Sequence, residues 1–242
     1  FSSCEYEAFE GDIPVSENPQ DNPDDPNDPN DPTGGDGIYW PLAVGNTWEF
    51  TNSESSNFQM SYDEGPMNIS GTISANGETY YQLPSFISID AGTNGIPEGT
   101  DATIVDNGGI RYSNGNYTQL IDFVMEMQMG EFVTTNHSVA TPMIIFKEDV
   151  EAGDTWTETT EMTMNIEVMG QTQTSTQNLS YHFTVDEKDV SATVNGQSFE
   201  NVIKMTLVDQ SGQMMTHFWM AKDVGPIFLE FIELNNADDA SD

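Results

Sequence analysis

The sequence predicts an all-β fold: an antiparallel meander forming a curved open sheet or half-barrel, with few or no helices. Three observations carry this. Asn76-Gly77, Asn114-Gly115 and Asn195-Gly196 are Asn-Gly pairs set between β-rich runs, the strongest short-range hairpin signal. The runs that flank them are dominated by Thr, Val, Ile and aromatic residues. Helical periodicity is confined to one stretch, Gln119 to Gln128.

Taken in order, Ile110-Arg111-Tyr112 faces Tyr117-Thr118-Gln119-Leu120 across Asn114-Gly115. In Gln119–Gln128, Leu120, Val124 and Met127 have helical spacing, whereas Phe123, Met125, Met127 and Met129 would share one face of a strand, and both readings stay open. Thr155 to Asp186 reads as two long strands joined near Gly170, and Phe199 to Val208 pairs with Met214 to Met220 around Ser211-Gly212. Hairpin following hairpin implies up-and-down antiparallel strands. A short echo, Gly45-Asn46-Thr47-Trp48 and Gly153-Asp154-Thr155-Trp156, reads twice as a turn entering a strand.

Composition divides the 242 residues into four parts. Residues 1–4 and 5–37 form a terminus and an acidic Asp/Pro-rich tether. Residues 38–234 form a single β domain, and 235–242 an acidic tail. Between Asn22 and Pro32 proline recurs every third residue. That spacing favours polyproline II, a semi-rigid spacer rising about 3.1 Å per residue. A calcium loop would need a glycine turn and alternating ligands, which these prolines prevent.

The formal charge of −36 comes from 41 acids against 5 bases. Arg111, Lys147, Lys188, Lys204 and Lys222 are never neighbours in sequence. Phosphate neutralisation needs clustered cations, so nucleic acid is excluded as a partner. No run of about 18 apolar residues is present to span a membrane as a helix.

The only cysteine, Cys4, follows Phe1-Ser2-Ser3. This segment resembles the end of a bacterial lipoprotein signal peptide, with Phe where Leu is usual. The resemblance implies that Cys4 is acylated and holds the chain on a membrane. Glu5, Glu7, Glu10 and Asp12 follow it. They resemble the acidic surface-export signal of Bacteroidota lipoproteins, which implies an outer-membrane anchor with the body facing the cell exterior. A merely acidic tether is the competing reading.

Four segments in order carry a second resemblance: Trp40-Pro41-Leu42-Ala43-Val44-Gly45-Asn46-Thr47-Trp48, Gly153-Asp154-Thr155-Trp156, the run from Gly196 to Lys204, and the run from Phe218 to Ile227. Together they resemble secreted Bacteroidota lipoproteins of unknown function, with a body like the open half-barrel of outer-membrane lipoprotein carriers. The resemblance brings no catalytic residues with it.

Candidate chemistry is sparse. His137, His182 and His217 have no motif partners, and no nucleophile elbow, metalloprotease helix or Cys-x-x-Cys pair occurs. No enzyme activity, metal or cofactor is expected. Four Asn-x-Ser/Thr sequons, at Asn68, Asn116, Asn136 and Asn178, are what a chain rich in these residues yields. Methionine, 13 in all, is the unusual component. Met125, Met127 and Met129 alternate, as do Met162 and Met164, and residues two apart on a strand share a face about 6.6 Å apart. Such a stripe is read as adaptable core, as a concave face that repacks around an apolar ligand, or as thioether ligands for Cu(I). Trp40, Trp48, Trp156 and Trp219 are the rings available to stack on sugars.

The expectation is therefore a non-enzymatic, lipid-anchored cell-surface protein. It would bind an apolar or amphiphilic ligand at Met125, Met127, Met129, Met162, Met164 and Trp219, or act as an accessory subunit of an outer-membrane complex. The alternative is a carbohydrate-binding accessory protein of a polysaccharide-uptake system.

Overall fold

Strands dominate the computed structural model, which describes residues 39–50, 66–84, 101–129, 132–212 and 214–233. All of these belong to the unit Gly37–Asp242. Cys4, the 5–37 leader, the 235–242 tail and the Met129 side chain lie outside the described residues.

Among the described residues there are thirteen strands and no helix. In order they are β1 (Thr47–Trp48), β2 (Met67–Asn68), β3 (Gly71–Ala75), β4 (Glu78–Gln82), β5 (Asp101–Asp106), β6 (Gly109–Ser113), β7 (Asn116–Met129), β8 (Phe132–Lys147), β9 (Thr155–Val168), β10 (Gln171–Val194), β11 (Gln197–Asp209), β12 (Met214–Ala221) and β13 (Gly225–Glu233). β1 and β2 pair with each other, and the other eleven form one antiparallel sheet. Its neighbours follow chain order from β6 to β13, with β4 and β3 beyond β6. The sheet is open rather than closed into a barrel, since β3 and β13 do not pair among the described residues.

One element leaves the simple meander. β7 is long enough to take β6 along Asn116–Leu120 and β5 along Phe123–Gln128, so β5 lies beyond β6 on the same edge. This pairing also settles Gln119–Gln128 as strand.

The Asn-Gly pairs close two-residue loops, with Ala75 opposite Glu78, Ser113 opposite Asn116 and Val194 opposite Gln197. Both residues of each pair have positive φ, between 50° and 82°. That is the type I′ geometry that suits the right-handed twist of a hairpin. Met169-Gly170 closes β9–β10 in the same way, with φ of 51° and 74°.

Thr141-Pro142 opposes Leu120 alone, because Ala140 pairs with Ile121 and Met143 with Gln119. Proline has no N–H to give a ladder, and a bulge is where a strand tolerates it. The β8–β9 ladder runs from Thr134–Val168 to Ala140–Met162 and stops there. Below it the sheet parts into a β6–β8 half and a β9–β13 half. The core lies between them, drawing Ile110, Ile145 and Phe146 from one half and Phe183, Met205 and Phe218 from the other.

The first two described segments, 39–50 and 66–84, close this core. Trp40, Leu42, Met67 and Ile69 are enclosed within it, each such burial contributing about 1.5–3 kcal/mol. Trp40 and Trp48 meet edge to face, 6.0 Å apart, and Trp48 Nε1 donates to the Val224 carbonyl at 2.7 Å. Beneath them Gly225 has φ +102°, and a Cβ there would stand 2.8 Å from Trp48 Nε1. Only glycine meets both conditions.

β10 changes face along its length. Tyr181, Phe183 and Val185 point into the main core, whereas Val190, Ala192 and Val194 join a second cluster. Val185 and Val190 are five residues apart, so period-2 alternation itself sets them on opposite faces; the shifts after Val185 and after Glu187 each add one residue to β10 and cancel.

Candidate functional site

The methionines do not form a contiguous patch. Across β7, β8 and β9 the side chains of one face fall in rows: Ile121–Ala140–Met162, Phe123–Ser138–Met164, Met125–Asn136–Ile166. In each row a β8 residue stands between the β7 and β9 positions. Ser138 and Asn136 are buried, and Ser138 Oγ donates to Asn136 Oδ1 at 3.2 Å. Met125 is 3% exposed and Met162 0%. Met164 is half-buried and packs against the core, and Met127 is half-buried. Two of the expected ligand-binding methionines thus serve as core. The buried Asn136 also places that sequon out of reach of solvent.

Trp219 lies on the opposite face. Its neighbours Phe218 and Met220 point into the main core, and strand alternation sends Trp219 outward onto the second cluster with Phe199 and Val190. The half-buried Trp219 and Phe228 rings are paired across β12 and β13, 4.4 Å apart and tilted by 31°. Lys204 Nζ stands 4.7 Å from the Trp219 ring and 3.0 Å from Glu187 Oε1. The result is an aromatic platform with a cation at its margin, on a protein with few cations. Phe228 and Lys204 were not legible as partners of Trp219. Phe228 comes opposite Trp219 through the shift between Trp219 and Met220, Lys204 faces Trp219 directly in the β11–β12 ladder, and Glu187 reaches Lys204 through the shift between Val185 and Glu187.

A polar centre also went unread in the sequence. The Glu148 carboxylate accepts from the Tyr39 amide at 2.8 Å, the Tyr117 hydroxyl at 3.0 Å and the Tyr112 hydroxyl at 2.9 Å. The Trp40 amide donates to the Tyr117 hydroxyl at 2.9 Å. Burial, reinforced by Asp189, pushes the Tyr39 hydroxyl up to about 12. Burial and the hydrogen bond to Glu148 push Tyr112 to about 12. Burial raises Tyr117 further still. Donors held neutral around a carboxylate make a fastening, one that moors the first segment to the end of β8. The cross-strand pair Tyr112–Tyr117, with rings 4.9 Å apart, was the available signal. Nothing in the sequence pointed from it to Glu148.

The histidines stay apart. His137 Nε2 lies 2.9 Å from Asp122, His217 Nδ1 3.2 Å from Glu230, and His182 Nδ1 3.2 Å from the Thr157 hydroxyl. Among the described residues no group of three or more His, Cys, Asp or Glu side chains is placed to hold a metal ion.

No protein-family model, no curated protein and no solved structure matches the chain.

Proposed function

We propose that this chain is a non-enzymatic cell-surface binding protein, anchored in the outer membrane through an acylated Cys4. Its β domain, carried on the acidic leader, takes an apolar or amphiphilic ligand on the Trp219–Phe228 platform, as an accessory subunit of a larger assembly. The carrying observation is that Trp219 keeps a partly exposed ring beside Phe228 and Lys204, while Met125 and Met162 are enclosed. An alkyl chain would lie across the rings, with its polar end towards the Lys204–Glu187 margin.

A second reading rests on the same rings, because partly exposed aromatic faces also stack on sugars. Calorimetric titration with a short-chain non-ionic amphiphile below its micellar concentration, and separately with neutral oligosaccharides, distinguishes the two. Binding of the amphiphile that Trp219→Ala weakens about tenfold, the equivalent of about 1.4 kcal/mol, supports the first reading. Binding of the oligosaccharide alone transfers the platform to the second. Binding of either that is indifferent to Trp219→Ala removes the platform from the account.

A further inference from the structure

The β9–β10 hairpin projects past its neighbour. β10 pairs with β9 from Gln171–Val168 to Thr184–Thr155 without a register shift, but with β11 only from Tyr181–Asp209 onward. Along Gln171–Ser180 no strand therefore pairs the outer side of β10 among the described residues. Gln171 to Asn178 are exposed at every position, on both faces of the sheet. Every second residue there turns its N–H and C=O outward.

Edges of this kind are ordinarily blunted by charge, proline, bulges or brevity. The other outer edges carry these devices. β13 has Pro226, Glu230 and a register shift after its Phe228 pair, β3 spans five residues, and β5 has an aspartate at each end. The β10 edge has none of them. From Val168 to Val185 there is no charged residue, in a chain of 41 acids. Threonine, serine and asparagine hydroxyls and amides brace the hairpin across its strands, as Thr174 Oγ1 does to Asn165 Oδ1 at 2.7 Å and Thr159 to Ser180 at 3.3 Å. At its head Val168 is 41% and Met169 69% exposed.

We propose that this edge pairs with the same edge of a second copy. The two β10 strands run antiparallel about a two-fold axis near Ser175–Thr176, joining two sheets into one. Charge selects the occupant. An isologous contact sets each surface against itself, so on a chain of this charge most such contacts would oppose carboxylate to carboxylate. The uncharged edge avoids that opposition and offers backbone hydrogen bonds instead. This inference is independent of the Trp219 platform, since β11 separates β12 from β10.

The remaining repulsion between two copies is long-range and screened, over about 30 Å at 10 mM salt and about 3 Å at 1 M. Sedimentation velocity of the full chain is expected to show monomer at low salt and dimer at high salt. The double variant Ser175→Asp/Thr176→Asp places like charges opposite one another across the axis, and should weaken dimerisation about tenfold or more. Thr72→Asp/Ser74→Asp, two exposed positions on β3 with the same change in net charge, should leave it unchanged. Circular dichroism checks that each variant is folded. A chain monomeric in 1 M salt at about 0.1 mM, where a micromolar pairing would saturate, overturns the proposal. So does a dimer that survives the β10 acids or is lost with the β3 acids. Hydrogen-exchange protection of residues 171–180 by an added uncharged peptide, in a chain that stays monomeric, would assign the edge to a different partner and likewise overturn self-pairing.

Discussion

Two turns in this molecule share a motif and a backbone but not a task. In the first, the Asn46 amide donates to Ala43 O at 3.0 Å, and Gly45 and Asn46 bracket Ile69 with bonds of 2.9 Å each. In the second, the Asp154 amide donates to Glu151 O at 3.0 Å, and Gly153 and Asp154 bracket Val185 with bonds of 2.8 and 2.9 Å. Gly45 and Gly153 have φ of 95° and 93°. The tryptophans that follow then diverge. Trp48 donates to a distant carbonyl and leans on Trp40. Trp156 lies flat on Phe183, with centroids 4.8 Å apart, beneath the Lys147 ammonium. Four residues encode a turn, while the use made of its tryptophan is written elsewhere in the chain.

The largest effect expected from breaking this parallel is that of Trp40→Ala. It removes the enclosed ring behind the first turn and should cost about 3–5 kcal/mol in chemical denaturation. Amide exchange should rise at Gly45 and Ile69 more than at Gly153 and Val185. Equal increases at both turns would show that the first has no separate support.

Alkaline pH should loosen the mooring beside the first turn. Tyr39 and Tyr112 ionise at about 12 in the folded protein, against about 10 when unfolded. The stabilisation they contribute is therefore full below pH 10 and lost as pH rises through about 12. The denaturation midpoint should fall across that window, and fall less in Tyr112→Phe. A midpoint flat from pH 10 to 12 would contradict the assignment.

The smallest effect is the sharpest comparison. A Cβ at Gly45 or at Gly153 would meet nothing within 4 Å. Gly45→Ala and Gly153→Ala should therefore cost the same, about 1–2 kcal/mol of backbone strain each. Unequal losses would mean that the two turns differ in more than their tryptophans.

The same contrast between local and distant information governs what the sequence revealed. Asn76-Gly77, Asn114-Gly115 and Asn195-Gly196 announced their hairpins because type I′ geometry is a property of two adjacent residues. The β9–β10 turn was legible from Gly170, although Met169 takes the other positive φ. What could not be read were events set by a partner strand. Thr141-Pro142 becomes a bulge only opposite Leu120, and the shifts between Val185 and Ala192 arise only against β11. For that reason the methionine alternation was visible while its destination was not. Met162 disappears into the core that Trp40, Leu42, Met67 and Ile69 join from far along the chain, and Met125 is enclosed as well. Glu148 was invisible among 41 acids until three donors from Tyr39, Tyr112 and Tyr117 converged on it.

The position of Glu148 also has a mechanical meaning. Any pull arriving along the chain from before Tyr39 is received at the end of β8 and, through Tyr117, on β7. Both strands lie in the interior of the sheet order, not at its margins. A load delivered there would bear on neighbouring ladders together instead of peeling one outer strand at a time.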